Sequence, residues 1–71
     1  MNAEELLEKY AAGERIFQKL NLSGIDLKGA KLNEISFYRT NLTGTDLSEA
    51  ILTKASLWEA NVSRVCLKST N

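Results

Sequence analysis

Thr40-Asn41-Leu42-Thr43-Gly44-Thr45-Asp46-Leu47-Ser48-Glu49 repeats a five-residue unit twice, with a leucine at the centre of each copy. Followed outward in both directions, the same spacing gives Phe17, Leu22, Leu27, Leu32, Phe37, Leu42, Leu47, Leu52, Leu57, Val62 and Leu67. All eleven positions are apolar, and eight of the chain's eleven leucines occupy them. In a composition that is 44% hydrophobic, chance fills eleven chosen positions this way roughly once in ten thousand sequences.

A period of five fits neither common element. A helix brings i, i+3, i+4 and i+7 to one face, and a strand alternates with period two. On a helix, residues five apart are rotated by about 140°, so the leucines would spiral around every side. A chain that turns a corner after each short extended stretch keeps one position inside throughout. Four such sides close a square coil of twenty residues, and stacked coils pair their backbones at about 4.8 Å.

The position two before each comb residue agrees: Leu20, Ile25, Ala30, Ile35, Thr40, Thr45, Ala50, Ala55, Ala60 and Val65 are small or apolar except for the two threonines. Both columns therefore point inward. The position just before the comb carries Asn21, Asp26, Asn41, Asp46 and Asn61, residues whose side chains bond nearby backbone at corners. Gly24, Gly29 and Gly44 lie two after a comb residue, where a type II turn requires positive φ.

Ile25-Asp26-Leu27-Lys28-Gly29, Thr40-Asn41-Leu42-Thr43-Gly44, Thr45-Asp46-Leu47-Ser48-Glu49 and Ala60-Asn61-Val62-Ser63-Arg64 resemble the A(D/N)LXX unit of pentapeptide-repeat proteins. The resemblance covers about eleven units and implies an all-β solenoid, a right-handed quadrilateral β-helix of just under three coils. Tyr10-Ala11-Ala12-Gly13-Glu14-Arg15-Ile16-Phe17 is similar to the helix-to-repeat transition of some bacterial members. The chain departs from the motif where Lys31 and Ile51 replace Asn or Asp, and where Leu20, Ile25, Ile35 and Val65 replace the small residue.

Ahead of the repeats, residues 3 to 12 read as a short helix. Asn2 is placed to cap it, Glu5 to complete a capping box, and Gly13 to end it. Leu6, Leu7, Tyr10 and Ala11 form an apolar stripe expected to close the N-terminal mouth near Phe17 and Leu22. The expected division is a capping helix over 1–14, a β-helix over 15–69 and a polar tail at 70–71. Seventy-one residues make one domain, near the size where a single core becomes marginal.

The net charge is zero, a single cysteine excludes an internal disulfide, and no apolar run reaches membrane-span length. The acidic start Met1-Asn2-Ala3-Glu4-Glu5 lacks the features of a signal peptide, so a cytoplasmic location is expected.

Stacking at twenty residues puts Ile16, Tyr38 and Trp58 on one outer face as a candidate interaction surface, with Tyr38 and Trp58 on adjacent coils. Without histidine, neither a Ser-His nor a Cys-His pair can be built, and the common metal sets lose a member. Asp26 and Asp46 stack by repeat grammar, and Cys66 is expected to be an inert, partly shielded thiol. The chain therefore reads as a noncatalytic scaffold or protein-interaction module with no cofactor and no metal.

The alternative is a regulator that mimics DNA, since one branch of the resembling family resembles duplex DNA and inhibits DNA gyrase. Such a mimic needs an acidic wall. Residues 15–71 carry five acidic against eight basic residues, a net +3, and under three coils span only about 13 Å. The basic residues are scattered rather than lined up, which also disfavours nucleic acid as a partner. A protein partner is expected instead. Nothing after Leu67 looks able to cover the last coil, so Leu52, Leu57, Val62 and Leu67 are expected to form an open end that pairs with a second copy.

Overall fold

The computed structural model describes residues 1–68 and 70–71; Ser69, the last residue of the expected β-helix, lies outside the described residues. The repeats stack as expected. Parallel bridges join Ile16 to Ser36, Asn21 to Asn41, Asp26 to Asp46 and Lys31 to Ile51, then Ser36 to Ser56, Asn41 to Asn61 and Asp46 to Cys66. Every bridge spans twenty residues and the bridges recur every five, so each coil has four sides. Residues 16–35, 36–55 and 56–71 are here called the first, second and third coils.

Each side pairs through a single residue, and among the described residues no continuous strand forms. The five-residue side is too short for one, because the turn uses the rest. Along the ladder, Ser36 donates its N–H to the Arg15 carbonyl at 2.7 Å, and its own carbonyl accepts the Phe17 N–H at 2.8 Å. The same pair of bonds recurs at each side.

Every described corner from Phe17 onward turns through a left-handed residue two after the comb position. Gly24, Gly29 and Gly44 fill three of these, and Lys19, Glu34, Arg39, Glu49, Lys54, Glu59 and Arg64 fill the other seven with φ between 53° and 62°. From Leu22 through Val62 the corner closes with an i+3 N–H to i carbonyl bond of 2.9–3.4 Å, as in a type II turn. An L residue there costs about 1–2 kcal/mol, so the ladder and the core hold these corners against local preference.

Asn and Asp before the comb take up one more corner donor each. Asn21, Asp26, Asn41, Asp46 and Asn61 accept the N–H two residues ahead at 2.9–3.1 Å. The two inward threonines are equally regular. Thr40 Oγ1 donates to the Phe17 carbonyl and Thr45 Oγ1 to the Leu22 carbonyl, both at 2.7 Å. A buried hydroxyl is tolerated because it finds an acceptor on the coil below.

The core is one column of comb residues. Phe17, Leu22, Leu27, Leu32, Phe37, Leu42 and Leu47 are buried together with Ile35, Ala50 and Leu6. The bulky Leu20, Ile25 and Val65 at the small-residue positions pack against it half-buried, without interrupting the ladder.

The helix α1 runs Ala3–Ala11. Asn2 caps it, accepting the Glu5 N–H at 2.8 Å while the Glu5 carboxylate accepts the Asn2 N–H. Its buried face is Ala3, Leu6 and Tyr10; Leu7 and Ala11, expected on that stripe, face outward instead. Only a narrow stripe fits against the mouth, and Leu7 lies about 100° round the helix from Leu6. Tyr10 fastens the helix by donating its hydroxyl to the Asn33 carbonyl at 2.9 Å, with the Arg15 guanidinium stacked 3.8 Å over its ring.

The expected polar tail continues the ladder. Asn71 donates to the Ala50 carbonyl and accepts the Leu52 N–H, and Thr70 Oγ1 donates to the Leu47 carbonyl at 2.6 Å. Thr70 stands twenty-three residues after its acceptor, as Thr40 and Thr45 do.

Candidate interaction surfaces

Three surfaces differ from the regular polar wall. The first lies on the side built from residues 16–18, 36–38 and 56–58. The bridges put Gln18, Tyr38 and Trp58 in one column and Ile16, Ser36 and Ser56 in the other. Tyr38 and Trp58 are brought together, ring centroids 5.9 Å apart and tilted by 53°. Such a pair contributes about 0.5–1.5 kcal/mol beyond burial. Trp58 nonetheless remains 70% exposed and Ile16 66%. Ile16 stands over Ser36 rather than beside the two rings, so the three residues share a face without forming one cluster.

Arg39 borders the pair. Its guanidinium lies 5.2 Å over the Tyr38 ring, and its Nε donates to Glu59 Oε1 at 2.7 Å across the coils. Arg39 and Glu59 are both left-handed corner residues, which brings their side chains together from adjacent coils. Two exposed side chains in water make this bond worth under about 1 kcal/mol.

The second surface is the C-terminal mouth. Leu57, Val62 and Leu67 are 36%, 45% and 50% exposed, although they occupy comb positions buried everywhere below. Leu52, expected to open with them, is half-buried, because Asn71 lies above its side of the coil. Among the described residues, the backbone N–H groups of Leu57, Val62 and Leu67 and the carbonyls of Ala55, Ala60 and Val65 have no backbone partner.

The third is the column Asp26, Asp46 and Cys66. Ser48 links the last two, its hydroxyl 2.9 Å from Cys66 Sγ and its N–H donating to Asp46 Oδ1 at 2.9 Å. The Ser48 side chain is the main cause of a lowered Asp46 carboxyl pKa, and its N–H adds to it. The Ser48 hydroxyl also lowers the Cys66 thiol, helped by the Lys68 backbone N–H. Cys66 is exposed rather than partly shielded. Asp46 and Ser48 are thus tied into the corner they build, and Cys66 stands on the same column one coil above.

A shallow depression of about 330 Å³ lies along α1, lined by Glu5, Glu8, Lys9, Ala12 and Glu14. Lys9 and Glu14 meet there at 3.8 Å. Among the described residues no group of three or more His, Cys, Asp or Glu is placed to hold a metal ion, and no helix is long and apolar enough to cross a membrane.

The inter-coil threonine bonds, the Arg39–Glu59 contact and the ladder role of Asn71 had no separate signal in the sequence beyond the twenty-residue offset. A family model described as pentapeptide repeats matches the chain over residues 21–58 and 34–68, with eight copies. No curated protein matches the chain.

Proposed function

The chain belongs to the pentapeptide-repeat family, and on that premise we propose that it is a noncatalytic interaction module whose C-terminal mouth pairs with a second copy of itself. The observation that carries this reading is the exposure of Leu57, Val62 and Leu67 beside an unpaired backbone edge. A bare ladder edge above open leucines is a template for another chain. A core this small also gains more from added burial than a large one does.

A two-fold pair suits that edge. Each side of the third coil offers a carbonyl and, two residues on, an N–H. Turned over by a two-fold axis, each donor meets an acceptor, and one continuous core results. The right-handed, quadrilateral β-helix of the family is the form we assign to the coils, and the cytoplasm the compartment. Tyr38 and Trp58, with Ile16 on the same face, would offer a second contact for a protein partner.

The charges support no acidic duplex-like wall. Lys28 and Lys68 lie on the same face as Asp26 and Asp46, within a repeat segment whose five acidic and eight basic residues sum to +3.

Light scattering at micromolar concentration tests the pairing. A mass of two chains and a melting temperature that rises with concentration are expected. A monomer with a concentration-independent melting temperature contradicts it. Trp58 fluorescence that no partner or oligomer alters removes the aromatic face from the proposal.

A further inference from the structure

The first coil has a free edge as well, and it matches the one at the other end. Among the described residues, the N–H and carbonyl of Ile16, Asn21, Asp26 and Lys31 have no partner within the chain. Inside the solenoid, residues of this position fill one kind of seat. Ser56 sits between the Ile35 carbonyl and the Phe37 N–H, Asn61 between Thr40 and Leu42, and Cys66 between Thr45 and Leu47. The third coil presents three more such seats, empty among the described residues: Ala55 with Leu57, Ala60 with Val62, and Val65 with Leu67.

Ile16, Asn21 and Asp26 of a second copy fit those seats in the register of the chain's own bridges. Such a contact joins unlike ends, so nothing closes it, and it grows into an open filament. What stands in the way is α1. Leu6 is fully buried over the first-coil mouth, and Tyr10 occupies the Asn33 carbonyl, which points toward the same end.

We propose that α1 is an assembly limiter: docked on the first coil it leaves only the C-terminal edge available to a second copy, and undocked it lets copies stack head to tail. The proposal rests on the reading above that the C-terminal edge binds another copy of this chain. Solenoids are known to need polar ends for solubility, and covering an edge with a helix is one way proteins block pairing. Here the cap closes one edge of two, and so sets the number of copies that can join.

The test uses the full chain with Leu6→Glu, which puts a charge where the cap meets the core. Far-ultraviolet circular dichroism reports the fold, and sedimentation velocity reports the mass. The expected result is a retained β signal and a mean mass that climbs without plateau as concentration rises, several-fold beyond two chains. Adding Val62→Lys to that variant charges the receiving mouth and is expected to abolish the growth. Assembly that persists with Val62→Lys overturns the proposal, because it does not use the C-terminal edge. A folded Leu6→Glu chain that stays at one or two copies overturns it as well.

If Leu6→Glu loses the β signal, Tyr10→Ala, which removes the Asn33 bond and the Arg15 stacking, is read by the same two measurements. Loss of the β signal in both variants would show that α1 holds the solenoid together rather than limiting its growth, and would end the proposal. An unmodified chain that is monomeric while Leu6→Glu grows refutes the two-fold pairing but not the limiter. A paired unmodified chain with a Leu6→Glu variant that only pairs refutes the limiter but not the pairing.

Discussion

Leu22 and Leu27 in the first coil stand below Leu42 and Leu47 in the second, and these stand below Val62 and Leu67 in the third. In the first coil they are covered by Leu6 of the cap and in the second by the coil above, so all four are buried. Among the described residues nothing lies above Val62 and Leu67, which are 45% and 50% exposed. The residue type hardly changes along each column. Burial in a solenoid is therefore set by what lies above and below a side chain, and the two ends are chemically different surfaces.

That contrast fixes the largest expected effect. Leu42→Ala or Leu47→Ala empties a site packed on all sides and is expected to cost about 2–5 kcal/mol in urea denaturation. Val62→Ala, measured on the dilute chain, removes half-exposed surface and is expected to cost below about 1 kcal/mol. Equal losses at both levels would mean that the third coil is covered in solution.

Smaller effects test the bonds between coils. Thr40→Val keeps the shape but removes the one partner that the Phe17 carbonyl has among the described residues. Leaving that buried acceptor unsatisfied is expected to cost about 1–3 kcal/mol in the same denaturation experiment. Gly24→Ala tests the corner alone. An added Cβ there meets nothing within 4 Å, yet φ is +72°. Strain without collision is expected to cost about 1 kcal/mol, and no loss would show that these corners relax freely.

Acid gives the smallest effect. Asp46 has a pKa lowered below the ordinary 3.8, chiefly by Ser48. A carboxyl with a depressed folded pKa stabilises the fold above its unfolded pKa, and that contribution fades as pH falls through the folded value. Asp46→Asn is therefore expected to lower stability slightly at neutral pH and to flatten the acid limb below pH 3.8, where the two chains converge. An unchanged acid limb would separate Asp46 from the Ser48 bonds.

The comb was legible because period five admits so few backbones, and the twenty-residue stacking followed from it. Only three corners advertised themselves with glycine; at the other seven a Lys, Glu or Arg adopts positive φ because the stacked coils impose it. Propensity at one residue cannot reveal a conformation imposed from two coils away. Thr40 and Thr45 looked like exceptions in an apolar column, since their acceptors lie twenty-three residues back. Leu7 was indistinguishable from Leu6 in composition, and only the width of the mouth chose between them. The exposure of Leu57, Val62 and Leu67 was expected from their place in the last coil, but not the small cover that Asn71 gives Leu52.

Residue-resolved hydrogen exchange tests most directly whether the chain is a ladder closed at one end and bare at the other. The N–H groups of Phe37, Leu42 and Leu47 donate to Ser56, Asn61 and Cys66 across the coils, while those of Leu57, Val62 and Leu67 hold the same repeat positions with no coil above. In dilute solution the first three are expected to exchange slowly and the last three fast, near the rate of an unfolded chain. Equal protection of both sets at the lowest concentration, or fast exchange at Leu42 and Leu47, would contradict the account.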